Sequence, residues 1–150
     1  MIAVLQRVSE SSVSIDGNIK SAIKTGLMVL LGIEEADEME DVEWICKKTA
    51  HMRIFPDEKG VMNKSILEVG GDMLVISQFT LHASTKKGNR PSYIKAAKPE
   101  KAIPLYESCL RNMEKVLGKP VASGEFGANM QVSLINDGPV TIILDSKNKV

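Results

Sequence analysis

The segment "MLVISQFTLHAST", Met73 to Thr85, begins as an apolar strand and turns polar at Ser77, Gln78, Thr80, His82, Ser84 and Thr85. Hydroxyls and an amide at a strand end can donate and accept hydrogen bonds around a bound ligand, or frame an oxyanion site. The same residues can also simply finish a sheet. His82 follows Thr80 by two positions, which in an extended strand puts both on one face. No acidic residue follows nearby to orient the imidazole, so a Thr–His catalytic pair has no support. A second cluster comes next. From Lys86 to Lys101 the chain carries Lys86, Lys87, Arg90, Lys95, Lys98 and Lys101 against Glu100 alone, a local excess of five positive charges suited to phosphates. A solvated loop is the plainer reading of the same charges.

A third feature is "NDGP", Asn136 to Pro139, which splits "MQVSLINDGPVTIIL" into two strand-like runs. Asp-Gly between β-rich runs signals a hairpin, yet Pro139 has no N–H for a ladder and belongs at an edge, a strand start or a bulge. Either the turn blunts an edge strand, or Gly138 and Pro139 present their backbone to something outside. Glycine before proline also suits a cis peptide bond, and that is the geometry expected here.

These groups need elements to hold them. "MIAVLQRVSESSVSI" followed by Asp16-Gly17 and "NIKSAI" predicts a β-hairpin. "GLMVLLGI", Gly26 to Ile33, is apolar throughout and short, which predicts a strand buried on both faces. Glu34 to Glu43 holds seven acids and no base, and Val42, Ile45, Cys46, Thr49 and Met52 then fall at helical spacing. Acids first and bases last complement a helix dipole, so the acidic run predicts a solvated helix face with His51 at its far end. Trp44 is expected in the core. "MRIFPDEKGVMN" predicts a strand and turn, and "GGDMLVISQFTL" another buried strand. In "PEKAIPLYESCLRNMEKVLGKP" a second helix should bury Leu105, Cys109, Met113, Val116 and Leu117, with Pro104 near its first turn or at a kink. Many strands and about two helices make an α+β chain, expected to form one domain over residues 1–150.

Lys plus Arg and Asp plus Glu both number 19, so no global field recruits nucleic acid or a membrane, and any such contact should be local. Cys46 and Cys109 lie far apart without a CxxC or a histidine at metal spacing, which predicts reduced thiols. The opening reads as a strand rather than a signal peptide, and no run reaches membrane-spanning length. A cytoplasmic protein is therefore expected, with no membrane association, metal or cofactor.

"SQFTL" at Ser77 to Leu81, "NDGPVT" at Asn136 to Thr141, "AVLQRVSESSVSIDG", "KGNRPS" and "FGANMQVSL" together resemble the D-aminoacyl-tRNA deacylases, over essentially the whole chain. The resemblance implies an α+β fold with a barrel-like β-sheet core and flanking helices, similar to the editing domain of archaeal threonyl-tRNA synthetases. It implies a homodimer with sites at the subunit interface, hydrolysing the ester between a D-amino acid and the terminal adenosine of tRNA. Carried over by position, Ser77, Gln78, Phe79 and Thr80 line the pocket, and the backbone near Phe79 and Thr80 polarises the scissile carbonyl. Phe126 and Met130 match positions around the adenosine and aminoacyl group. Arg7 matches the residue that braces Gly138-Pro139, and that pair would exclude L-amino acids from the partner subunit's site while admitting D-amino acids and glycine. Lys86, Lys87 and Arg90 are candidates for tRNA phosphates. His82 stands where the family commonly has Tyr.

Thr80 has no adjacent base, which favours direct attack by water assisted by the ribose 2′-hydroxyl over a threonine nucleophile. Two other readings stay open at this point: a noncatalytic module that binds RNA ends, and a Thr80-dependent esterase acting on small esters.

Overall fold

The computed structural model describes residues 1–150. Strand β1 (Ile2–Ile15) turns at Asp16 and Gly17, both with positive φ, into β2 (Asn18–Ile23). Strand β3 (Gly26–Gly32) then pairs antiparallel with the first half of β1. Helix α1 (Met39–His51), a small β4–β5 hairpin (Phe55–Pro56 with Met62–Lys64) and the four-residue helix α2 (Ile66–Val69) lead to β6 (Asp72–Ser77), parallel to β3. Helix α3 (Pro99–Leu117), the short β7 (Ala122–Ser123) and the long β8 (Gln131–Asp145) complete the chain. In the six-stranded sheet the order is β2-β1-β3-β6-β7, with β8 paired along the other edge of β1.

The sheet nearly closes into a barrel. Its terminal strands β2 and β7 meet through side chains, Ser21 Oγ donating to the Ser123 carbonyl at 2.7 Å and Lys20 Nζ to the Gly124 carbonyl at 2.6 Å. Inside lie Val8, Val13, Ile23, Met28, Leu74 and Ile76. Outside, Leu5, Leu27, Val29 and Leu31 pack against Val42, Ile45 and Cys46 of α1 and Leu105, Cys109 and Met113 of α3. Strand β3 thus feeds two cores with alternate residues, which is why its apolar run has no polar side.

Several expectations need correction. There are three helices rather than about two, because "SILE" closes a capping box: Glu68 N–H donates to Ser65 Oγ, and Ser65 N–H to Glu68 Oε2. The acidic run is not wholly a solvated face. Asp37 is fully buried, accepting from the Met1 ammonium at 2.5 Å, and Asp41 is buried against Lys147 Nζ at 2.8 Å. Val116 is exposed, and Leu117 is half-buried, packing at the margin of the core. Pro104 sits inside α3, past its first turn. Trp44 is half-buried at the core margin with Lys149 Nζ 5.1 Å from its ring centre. The largest change concerns "NDGP". It reverses nothing: β8 is one continuous strand in which Asn136 pairs with Val8 and Thr141 with Gln6, so residues 137–140 bulge out opposite Arg7.

Candidate functional site

Strand β6 ends at Ser77, and Gln78 N–H still donates to the Leu31 carbonyl at 2.8 Å, holding the next residue to the sheet. Phe79–His82 then form a 3₁₀ turn rather than the extended strand expected from sequence. In such a turn the first N–H groups have no acceptor within the turn, leaving the amides of Phe79 and Thr80 for other partners. Thr80 Oγ1 accepts from Gln78 Nε2 at 2.5 Å, its one side-chain partner. His82 is buried, with Nε2 unpartnered, and does not contact Thr80 through a hydrogen bond. The turn explains this, because it breaks the alternation that would have aligned the two side chains.

Ser77, Gln78 and Phe79 border a cavity of about 290 Å³ that Phe126 and Met130 also line, whereas Thr80, expected there with them, is not among its lining residues because the 3₁₀ turn carries it past the rim. Ala97, just before α3, and Ala102, inside its first turns, leave the space that larger residues would fill. Nothing in the sequence marked those alanines, since a small residue on an apolar face is ordinary. Gly124 is more legible in hindsight: a Cβ there would collide with Met130 Sδ, so the glycine lets Met130 lie flat against β7. Tyr106 of α3 supports Phe126, their rings 5.9 Å apart, and donates its hydroxyl to the Val75 carbonyl at 2.8 Å. Burial, with a smaller contribution from Cys109, pushes the Tyr106 hydroxyl up to about 12, so it is a fixed donor at neutral pH.

The cavity walls are mostly apolar, and the polar groups converge at one end. That arrangement can seat an acyl group and offer hydrogen bonds where its carbonyl emerges. Both cysteines are free and buried between α1 and α3, outside the cavity. The Cys109 thiol is held well above the usual range by Cys46 beside it and by burial, which removes it as a nucleophile.

Arg7, Gly138 and Pro139 are brought together with each other but do not border the cavity. Arg7 is buried, donating through Nε to the Asp137 carbonyl at 3.0 Å and through Nη1 to the Ile54 carbonyl at 2.7 Å. It ties the bulge to the segment leaving α1. On the other face of the pair, Gln6 Oε1 accepts from Asn136 Nδ2 and from Thr141 Oγ1, joining the two residues that flank the bulge. Asn136 Oδ1 also accepts from Val140 N–H at 3.1 Å. The Gly138–Pro139 bond is cis, and both residues are exposed. Sequence reasoning missed Gln6 and Asn136. The spacing of Asn136 ahead of Val140 was a usable signal, because Asn side chains commonly cap nearby backbone N–H groups in turns.

Lys86, Lys87 and Arg90 are exposed on a loop whose base is pinned by two hydrogen bonds between Ser84 and Ser92, at 2.8 and 2.9 Å. None of the three forms an ion pair within the chain; the cations that do are elsewhere, as with Lys101 on Glu38. No helix is long and apolar enough to cross a membrane.

Residues 4–145 match the family model described as D-Tyr-tRNA(Tyr) deacylase. The D-aminoacyl-tRNA deacylase of Bacteroides fragilis strain YCH46 is 66% identical over 149 residues, 99% of each chain. Its counterpart from Flavobacterium johnsoniae is 58% identical over the same share of both. Among solved structures, the c-Myc DNA Unwinding Element Binding Protein superposes with a TM-score of 0.92 at 41% identity, covering 97% of this chain and 98% of that one. A probable eukaryotic D-amino acid tRNA deacylase shares the fold, with a TM-score of 0.80 at 16% identity over 95% and 97% of the two chains. The nearly closed mixed barrel, the family model and these relatives together define an α+β enzyme of the ester-hydrolase class. Within that class, the chain belongs to the D-aminoacyl-tRNA deacylase family.

Proposed function

We propose that the chain hydrolyses the ester joining a D-amino acid to the terminal adenosine of tRNA, releasing both, and that it does so as a cytoplasmic homodimer. The observation that carries this reading is the cavity itself: Ser77, Gln78, Phe79, Phe126 and Met130, assigned from distant segments, border one space of about 290 Å³. In the proposed mechanism the apolar walls hold the acyl group and the adenosine, while the free amides of Phe79 and Thr80 stabilise the oxyanion. Water attacks the carbonyl with the ribose 2′-hydroxyl assisting, and the leaving 3′-hydroxyl departs on the tRNA. Thr80 orients the site through Gln78. A threonine nucleophile has little to support it, because the hydroxyl is engaged by the Gln78 amide and His82 is not its partner.

Selection against L-amino acids is assigned to Gly138 and Pro139 of the second subunit, whose backbone would clash with an L side chain and clear both a D side chain and glycine. Their exposure, and the bracing by Arg7 and Gln6, support a displayed and stiffened backbone. Lys86, Lys87 and Arg90 contact phosphates of the acceptor end.

Deacylation of matched D- and L-tyrosyl-tRNA tests the reading, with hydrolysis of the D form and sparing of the L form expected. Equal rates on both would refute the selection, and salt-sensitive binding without turnover would refute the hydrolysis. Neutralising Lys86, Lys87 and Arg90 should weaken binding and flatten its dependence on salt.

A further inference from the structure

Two aromatic rings are exposed on the single chain beside the cavity. Phe79, on its border, is 54% exposed, and Tyr93, one ring further out, is 41% exposed. They meet edge to face with centroids 5.1 Å apart and planes at 74°. Apolar surface of this size costs free energy in water, and the next residue, Ile94, is 91% exposed beside it. Tyr93 is also held in place by its backbone. Ser92 is bonded twice to Ser84, and the Tyr93 carbonyl accepts from Ala96 N–H at 3.0 Å. A ring on a pinned backbone loses little freedom when something stacks on it.

The charges around it narrow the ligand. Between Lys86 and Pro99 the segment has no Asp or Glu of its own, Glu34 and Glu35 meet it only at Lys95–Lys98, and Lys86, Lys87, Arg90 and Lys95 are exposed. An exposed π-face beside unpaired cations fits a ligand that offers both a flat ring and a phosphate. Duplex nucleic acid hides its base faces, whereas a single strand exposes them and commonly stacks on aromatic side chains in basic surroundings. We infer that Tyr93, propped edge-on by Phe79, is a stacking platform for the base next to the terminal adenosine of the substrate's single-stranded acceptor end, with the Lys86–Arg90 loop on its phosphates.

This inference rests on the aminoacyl-tRNA hydrolase reading, and two substrates separate the fates of the two. D-Tyrosyl-tRNA carries the neighbouring base; the D-tyrosyl ester of adenosine does not. Tyr93→Ala should raise KM for D-tyrosyl-tRNA about fivefold, the low end of what one stacked base contributes, with kcat little changed. On the adenosine ester the same variant should match the wild type. Tyr93→Phe keeps the ring and should match the wild type on both. Equal losses on both substrates would show that Tyr93 merely props Phe79, and no loss on either would show that it has no role; each result overturns the inference while leaving the hydrolase reading intact. A wild-type protein inactive on both substrates would overturn that reading and the inference with it.

Discussion

Replacing Gly138 by alanine puts the whole bracing of the bulge under load. Gly138 has φ +133°, a region that residues with a Cβ rarely adopt. A Cβ built there lies 2.7 Å from Val140 Cγ2, 3.0 Å from Val140 N and 3.1 Å from Arg7 Nη2. The valine methyl can rotate away; the other two are harder to move. Val140 N–H is bonded to Asn136 Oδ1 at 3.1 Å, and the Arg7 guanidinium is anchored on the Asp137 and Ile54 carbonyls. The variant must therefore carry backbone strain and give up or weaken a hydrogen bond to a charged donor, together about 2–4 kcal/mol. A domain of this size, with about 5–15 kcal/mol of stability, should still fold. Urea unfolding should show a lower midpoint with an unchanged slope. Deacylation of D- and L-tyrosyl-tRNA by the same preparation should show discrimination falling by a larger factor than D-activity, because the wall has shifted while the cavity has not. A variant with wild-type midpoint and wild-type discrimination would refute both the bracing and the role assigned to it.

Thr80→Ala should keep a substantial part of the activity on D-tyrosyl-tRNA, since the hydroxyl accepts from Gln78 rather than attacking; complete loss, with an acyl-Thr80 adduct trapped on the wild type, would count against this. Asp37→Asn should destabilise by about 3 kcal/mol in urea melts, because the buried Met1 ammonium would lose its near charge partner and keep only Glu34 at 3.9 Å; a change below about 1 kcal/mol would contradict the pairing. Burial opposes ionisation of Asp41, but hydrogen bonds from Lys147, Ser146 and the Glu38 amide outweigh it and lower the carboxyl from 3.8 to about 2. That stabilisation is present above the unfolded value and is lost as pH falls through this window. Screening through the one-third-exposed Lys147 reduces it to about 1 kcal/mol, and Asp41→Asn should flatten the acid limb of the stability curve by that amount. Gly26→Ala should be far more damaging, since a Cβ there overlaps the Asp72 backbone where β3 meets β6; a soluble variant with an unchanged thermal midpoint would contradict that packing.

What the sequence made legible was what local chemistry decides. Asp16-Gly17 demanded a tight turn, "GLMVLLGI" could only be a strand with two covered faces, and Gly118 with positive φ ends α3 where the sequence placed its stop. The missed helix α2 and the turn at Phe79–His82 are local, but the two largest misreadings share one cause, a distant partner. Asp37 and Asp41 look solvated until Met1 and Lys147 arrive from the two ends of the chain. "NDGP" has the composition of a hairpin, and local propensity alone would fold it back. Strand β1 overrides that, because its fourteen residues are long enough to pair with both halves of β8, and holding both in one ladder forces the four residues between them outward.

That override bears directly on function. A hairpin would have placed Gly138 and Pro139 at a free tip, tethered only by the turn. The bulge instead places them on the flank of the longest strand pair in the molecule, with Arg7 gripping one face and Gln6 the other. Because they do not border the cavity of their own chain, a part in selecting its substrate requires a second copy to bring them there. Stiffness then becomes necessary, since a wall carried on one subunit can exclude a side chain in another only if its position relative to its own barrel is fixed. In this chain the proposed selection and the proposed homodimer are therefore one hypothesis, and the Gln6–Asn136–Thr141 network and the Arg7 anchor are its structural preconditions.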